Sequence, residues 1–130
     1  MNLSGYKVAV TGGSGGIGSA LITGLIDAGA TVYNFDRTDS ANKGSEYKEV
    51  DLTNEASVRS AFSNIPALDA LVVCAGIQLV GKDSKIADVS LDTWQRTVDV
   101  NMTGAFLSVK YAMPALVKSG HGSVILIGSP

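Results

Sequence analysis

The stretch Val8-Ala9-Val10-Thr11-Gly12-Gly13-Ser14-Gly15-Gly16-Ile17-Gly18 decides the fold class, because its three parts call for three different kinds of backbone. Val8 to Thr11 is a short β-rich run without polar alternation, as expected of a strand covered on both faces. The glycines behind it allow a tight turn whose main chain carries no Cβ. From about Ile17 an amphipathic pattern begins, with Ile17, Leu21, Leu25 and Ala28 on one face, and it closes at Gly29, which can take the left-handed conformation that ends helices. Strand, bare turn and helix in that order make an anion site: the first helical N–H groups and the macrodipole face the turn, where a diphosphate can approach naked backbone. Gly13, Gly15 and Gly18 keep the general G-x-G-x-x-G spacing, although a plain tight turn would use similar glycines.

Outward from this loop, the next apolar run, Thr31 to Phe35, is followed at once by Asp36 and Arg37, with Asp36 eighteen residues beyond Gly18. That is close to the distance at which an acid bonds the ribose hydroxyls of NAD. A carboxylate there repels a 2′-phosphate, so NAD is favoured over NADP, while the neighbouring Arg37 could offer that phosphate a cation. Further strands are expected at Tyr47 to Val50, Ala70 to Cys74 and Ser123 to Ile127. A helix follows Thr53 and Asn54, with Glu55 in its first turn, and continues to about Phe62; 38–45 reads as loop or a single turn. A long helix follows Ser90, with Trp94, Val98, Met102, Phe106, Val109, Met113 and Leu116 at spacings of three and four. Pro114 interrupts it near the end and Gly120 terminates it. Its apolar stripe is wide enough to serve both the sheet and a partner subunit. The alternation of strands and helices predicts a doubly wound α/β domain over residues 1–130, a parallel sheet in the order 3-2-1-4-5 with its ligand at the carboxyl ends of the strands.

Composition agrees with one soluble domain and excludes several functions. Apolar residues make up 45% of the 130 and charged residues 17%. The net charge of −2, with ten scattered Lys and Arg, provides no basic patch for nucleic acid. No run approaches the roughly 18 apolar residues of a membrane span, and the amino terminus has no secretory pattern. A cytoplasmic protein is expected, in keeping with a single cysteine, Cys74, which cannot form an internal disulfide. No residue set suggests a metal. His121, in Ser119-Gly120-His121-Gly122, reads as a turn residue, and Gly81-Lys82-Asp83-Ser84-Lys85 as solvated loop.

Taken together these segments resemble the short-chain dehydrogenase/reductase family along essentially the whole chain. The family's T-G-x-x-x-G-x-G loop is matched by Thr11, Gly12, Gly16 and Gly18, which makes Gly12, Ser14, Gly15, Gly16, Ile17 and Gly18 the expected diphosphate-binding segment. Asp51-Leu52 is similar to the family's Asp-Val or Asp-Leu pair, whose acid is implied to bond the adenine amino group. Cys74-Ala75-Gly76 stands where the family has N-N-A-G. Val73 and Cys74 replace both asparagines, so the close approach to the cofactor is kept while the bracing hydrogen bonds those asparagines imply are not. Asn101, in Val100-Asn101-Met102-Thr103-Gly104, matches the member of the catalytic set that holds a proton-relay water, and asparagine within a helix predicts a local irregularity. Ser129 matches the serine that bonds the substrate carbonyl. Hydride transfer between a nicotinamide and an alcohol or ketone, in a homodimer or homotetramer, is what the resemblance implies.

The family's Tyr-x-x-x-Lys pair would follow that serine. The residues four after Tyr6, Tyr33, Tyr47 and Tyr111 are Val10, Arg37, Asp51 and Ala115, so no tyrosine here has the lysine that tunes it, and the 130 residues alone are expected to be inactive. Val124 to Ile127 reads as an interior strand, and its edge should be covered by more polypeptide or by a second copy. Two other classes are compatible with a Rossmann unit: a non-catalytic dinucleotide-binding module and a methyltransferase.

Overall fold

Five parallel strands, β1 (Lys7–Thr11), β2 (Thr31–Asp36), β3 (Glu46–Glu49), β4 (Ala70–Val73) and β5 (Ser123–Leu126), lie side by side in the order β3-β2-β1-β4-β5, as expected. The computed structural model describes residues 1–39 and 44–129, so part of the expected 38–45 loop lies outside the described residues. The register brings Thr11 level with Phe35 and Val73, and Val73 level with Leu126, so the carboxyl ends of the strands form one rim. Successive side chains of a strand point to opposite faces. Val8, Val10, Val32 and Val72 accordingly pack with Ile22 on one side, and Ala9, Phe35, Leu71 and Val73 with Val58, Phe62, Leu107 and Leu116 on the other. Phe35 meets Phe62 edge-on at 4.7 Å between ring centroids.

Helix α1 (Gly16–Asp27) covers the first face, and α2 (Glu55–Ser63) with α4 (Gly104–Ser119) the second. Local chemistry sets their ends. Asn54 caps α2 by accepting from the Ser57 N–H at 3.1 Å, and Ser90 caps α3 (Leu91–Val98) by accepting from the Thr93 N–H at 3.2 Å. Gly29 and Gly120, at φ +94° and +81°, take the left-handed conformation that closes α1 and α4. Between α3 and α4, Asp99–Thr103 forms one π turn with Asn101 at its middle, the irregularity the asparagine predicted. Pro114 is accommodated inside α4.

One expectation needs correction. Ile17 does not belong to the buried face of α1: it is 61% exposed, and Gly18 and Ile22 are the buried residues. The long apolar stripe, read as wide enough for more than the sheet, divides: only part of it faces the sheet. Trp94, Met102, Phe106 and Met113 are exposed, whereas Leu107, Ala112, Ala115 and Leu116 are buried. A uniform 3.6-residue period does not run across 91–119, because the extra residue of the π turn rotates the rest of the helix by about 100°.

The two sheet edges differ in kind. β3 carries Glu46, Lys48 and Glu49 on its edge, charges that deter strand addition, while Val124, Ile125, Leu126 and Ile127 are 39–63% exposed. At the amino ends of the strands, Asp69 accepts from the Lys7 N–H and from His121 Nε2, each at 2.7 Å, and His121 lies edge-on to Tyr6. His121 is therefore a turn residue that ties β5 to the sheet. Residues 81–88 are exposed loop, as expected.

Candidate functional site

At the carboxyl rim, where the chain leaves β1 toward α1 and β2 on one side and leaves β4 on the other, lies a cleft of about 330 Å³. It is lined by the loop residues Gly12, Gly15, Gly16, Ile17 and Gly18, by Asp36 and Arg37 beyond β2, by Leu52, and by Cys74, Ala75 and Gly76 beyond β4. Eleven of the thirteen expected cofactor contacts are thus gathered from four segments. Ser14 and Asp51 are not on the lining. Phe35, Val50, Ile77 and Val100 are, and sequence reasoning passed over them because each is an apolar neighbour of a polar or glycine signal.

The glycines of the loop divide into two kinds. Gly12 has φ +69°, and a Cβ on it would stand 2.6 Å from Ala75 Cα. A Cβ on Gly13 would strike the buried Asn34 and Ile22 side chains, and one on Gly18 would fall on the Gly12 carbonyl. These three are required by the packing of the chain on itself. A Cβ on Gly16 would meet nothing within 4 Å, and one on Gly15 only the Gly12 carbonyl at 3.4 Å, an ordinary contact. The fold does not need bare backbone at those two positions, yet both line the cleft at the start of α1. A diphosphate fits there: unobstructed N–H groups at a helix amino terminus are what its oxygens require.

The neighbouring polar groups are held by the backbone. Asp36 accepts from the N–H groups of Ser14 at 3.0 Å, Arg37 at 2.7 Å and Thr38 at 3.3 Å. Asp51 Oδ1 accepts from the Thr53 hydroxyl at 2.7 Å and its N–H at 2.9 Å, and these two bonds hold the carboxyl below its ordinary range. Burial pushes the Cys74 thiol up, away from the thiolate a nucleophile needs. The segment after β4 is braced from elsewhere. Asn101 Oδ1 accepts from the Ile77 N–H at 2.8 Å and its Nδ2 donates to the Ile77 carbonyl at 3.0 Å, so the π turn clamps the segment behind Gly76. Ser129 lies exposed just beyond β5 and is not part of the lining. Among the described residues, no group of three or more His, Cys, Asp or Glu could hold a metal ion, and no helix is long and apolar enough to cross a membrane.

The model of the family described as short chain dehydrogenase matches residues 6–130. The chain belongs to the short-chain dehydrogenase family. Its relatives include D-xylose 1-dehydrogenase of Caulobacter vibrioides, 32% identical over 139 aligned positions, covering 98% of this chain and 55% of that protein. A 3-alpha-(or 20-beta)-hydroxysteroid dehydrogenase of Mycobacterium tuberculosis is also 32% identical, with 98% of this chain and 52% of that protein covered. The ligand-free aldohexose dehydrogenase of Thermoplasma acidophilum superposes with a TM-score of 0.90 at 32% identity, over 98% of this chain and 50% of that one. This short-chain dehydrogenase chain therefore spans about half the length of the curated relatives it matches. Membership of the family sets the methyltransferase reading aside.

Proposed function

We propose that this chain supplies the NAD-binding half of an oxidoreductase that interconverts an alcohol and a ketone. The observation that carries the reading is the pair Gly15 and Gly16, bare at the cleft for no reason of packing, with the Asp36 carboxylate on the same lining. The N–H groups of the first turn of α1, from Gly16 onwards, would hold the diphosphate, since those of Gly12, Ser14 and Gly15 are already donated within the chain. Asp36 would accept from the adenosine ribose hydroxyls, which favours NAD over NADP, while Arg37 on the same lining would suit a 2′-phosphate. Val50 and Leu52 would flank the adenine, with Asp51 between them. Cys74, Ala75 and Gly76 form the opposite wall, and the Asn101 clamp holds that wall in place.

When bound, the dinucleotide supplies the hydride acceptor or donor; the protein supplies position and polarisation. Ser129 would donate to the substrate carbonyl oxygen. Asn101, with one N–H and its Oδ1 engaged by Ile77, retains a second amide N–H to offer a relay water. Turnover by residues 1–130 alone is expected to be absent, for want of a tuned tyrosine. The exposed apolar face of α4 is proposed to join copies into a homo-oligomer, and a cytoplasmic setting suits the unpaired Cys74.

Isothermal titration of the full polypeptide with NAD and NADP tests the reading. Saturable heat with NAD, and weaker binding of NADP, is the expected result. Folded material that binds neither would refute it.

A further inference from the structure

We propose that Asn34 and Ser14 form a polar strut whose task is to fix the Asp36 carboxylate, and that the strut sets the preference for a ribose 2′-hydroxyl over a 2′-phosphate. The inference rests on the proposed dinucleotide site and deepens it.

Asn34 is wholly buried in β2, on the sheet face that otherwise packs Val8, Val10 and Val32 against Ile22 of α1. An amide there loses its hydration, and an apolar residue would serve the core better. What the amide does is reach out of the core: Asn34 Nδ2 donates to Ser14 Oγ at 3.1 Å. Its carbonyl end lies where a Cβ on Gly13 would stand, with Ile22 close beside it, so Gly13 is bare on account of Asn34 and Ile22 and not of a ligand. Ser14 passes the connection on, its hydroxyl donating to the Thr38 carbonyl at 2.6 Å and its N–H to Asp36 Oδ2 at 3.0 Å. The Arg37 and Thr38 N–H groups then hold Oδ1. The turn after β2 is thereby closed onto the loop after β1, and Asp36 is left with a single orientation.

A carboxylate has about four acceptor positions, and one of its three partners here is long, so a ribose diol can still be accepted. That acceptance costs little, since the side chain is already immobilised. A 2′-phosphate instead requires the carboxylate to turn away from the Arg37 and Thr38 N–H groups, leaving Arg37, which already lines the cleft, as its cation. Such a rearrangement needs the 37–38 turn to move, and the Ser14 to Thr38 bond opposes it. Ser14 and Asn34 are thus positioning residues that act through Asp36.

The test is titration of the full polypeptide with NAD and with NADP, for the wild type, Ser14→Ala, Ser14→Thr and Asn34→Ala. A merely structural strut would change both affinities alike, so the readout is their ratio. Ser14→Ala, which removes both the Asn34 to Ser14 and the Ser14 to Thr38 bonds, is expected to weaken NAD about threefold to tenfold, with NADP unchanged or tighter. Ser14→Thr, which keeps the hydroxyl, should retain the wild-type ratio. Asn34→Ala should lower the ratio in the same direction, and it stands in for Ser14→Ala if that variant does not fold. A wild-type ratio in both alanine variants, or a wild type that binds the two dinucleotides equally, overturns the strut while leaving the dinucleotide reading intact. A wild type that binds neither overturns the reading on which the strut rests.

Discussion

Gly16 and Gly18 lie two residues apart, yet the structure asks different things of them. A methyl group at Gly18 would collide with the Gly12 carbonyl, so Gly18→Ala should destabilise the fold by about 3 kcal/mol or more. Gly16→Ala meets open space at the first position of α1 and should leave stability unchanged or raise it by up to ~1 kcal/mol, through helix propensity. The same substitution should weaken NAD about tenfold or more, about 1.4 kcal/mol, by filling the cradle. Thermal melts paired with titration separate the two effects. Normal NAD affinity in folded Gly16→Ala would show that the diphosphate does not lie there. Asp51 carries a pH dependence whose sign is set by its depressed carboxyl. Because the folded value lies below the ordinary 3.8, the stability from the two Thr53 bonds is complete above that value and is lost as the pH falls through the lower, folded one. Asp51→Asn should therefore melt below the wild type at neutral pH, and the gap should close on acidification below 3.8. A gap constant from neutral to strongly acid pH would mean that the charge of Asp51 contributes nothing.

Among the elements, the π turn at Asp99–Thr103 joins helix geometry most directly to the cleft. It displaces Asn101 from the regular helical register, so that the amide can grip both polar groups of the Ile77 backbone. Asn101→Ala should cost about 1–3 kcal/mol, the usual range for two such bonds, and should speed hydrogen exchange at the Ile77 amide more than elsewhere in the sheet. Unchanged exchange at Ile77 would refute the clamp. The helix ends were open to prediction because capping is local: Asn54, Ser90, Gly29 and Gly120 act on neighbours within a few residues. The phase of the long helix was not. Whether an asparagine inside a helix is met by a π turn depends on a partner 24 residues away, and only after that turn is placed do Phe106 and Met113 face outwards.

At the scale of the whole sheet, the described residues present two flanks of different character. β3 is edged with charge, whereas β5 and the outer side of α4 expose Val124, Ile125, Leu126, Phe106, Met113 and Val117. Leu126 and the α4 residues Ala105, Phe106, Val109, Lys110 and Met113 enclose an apolar groove of about 510 Å³. Parallel sheets are normally covered on both faces, so this flank should drive association. Sedimentation velocity is expected to show concentration-dependent self-association of residues 1–130, reduced by Phe106→Glu and by Ile125→Lys. A monomer at all concentrations would refute that expectation. Lys110 beside the groove is already engaged by Glu55 at 2.7 Å, an exposed pair that stabilises little by itself.

The sequence alone was sufficient for the order of strands and helices, the glycine loop, the acid after β2 and the family, since each rests on short spacings or on periodicity within one element. It could not tell the glycines that serve packing from those that leave the cleft open, because the atoms deciding this, Ala75, Asn34 and the Gly12 carbonyl, approach only when β1, β2, β4 and α1 come together. Nor could it show that Asn34 holds the loop and Asn101 the opposite wall. Those roles are contacts between segments distant along the chain, and the sheet order and the π turn bring them within hydrogen-bonding distance.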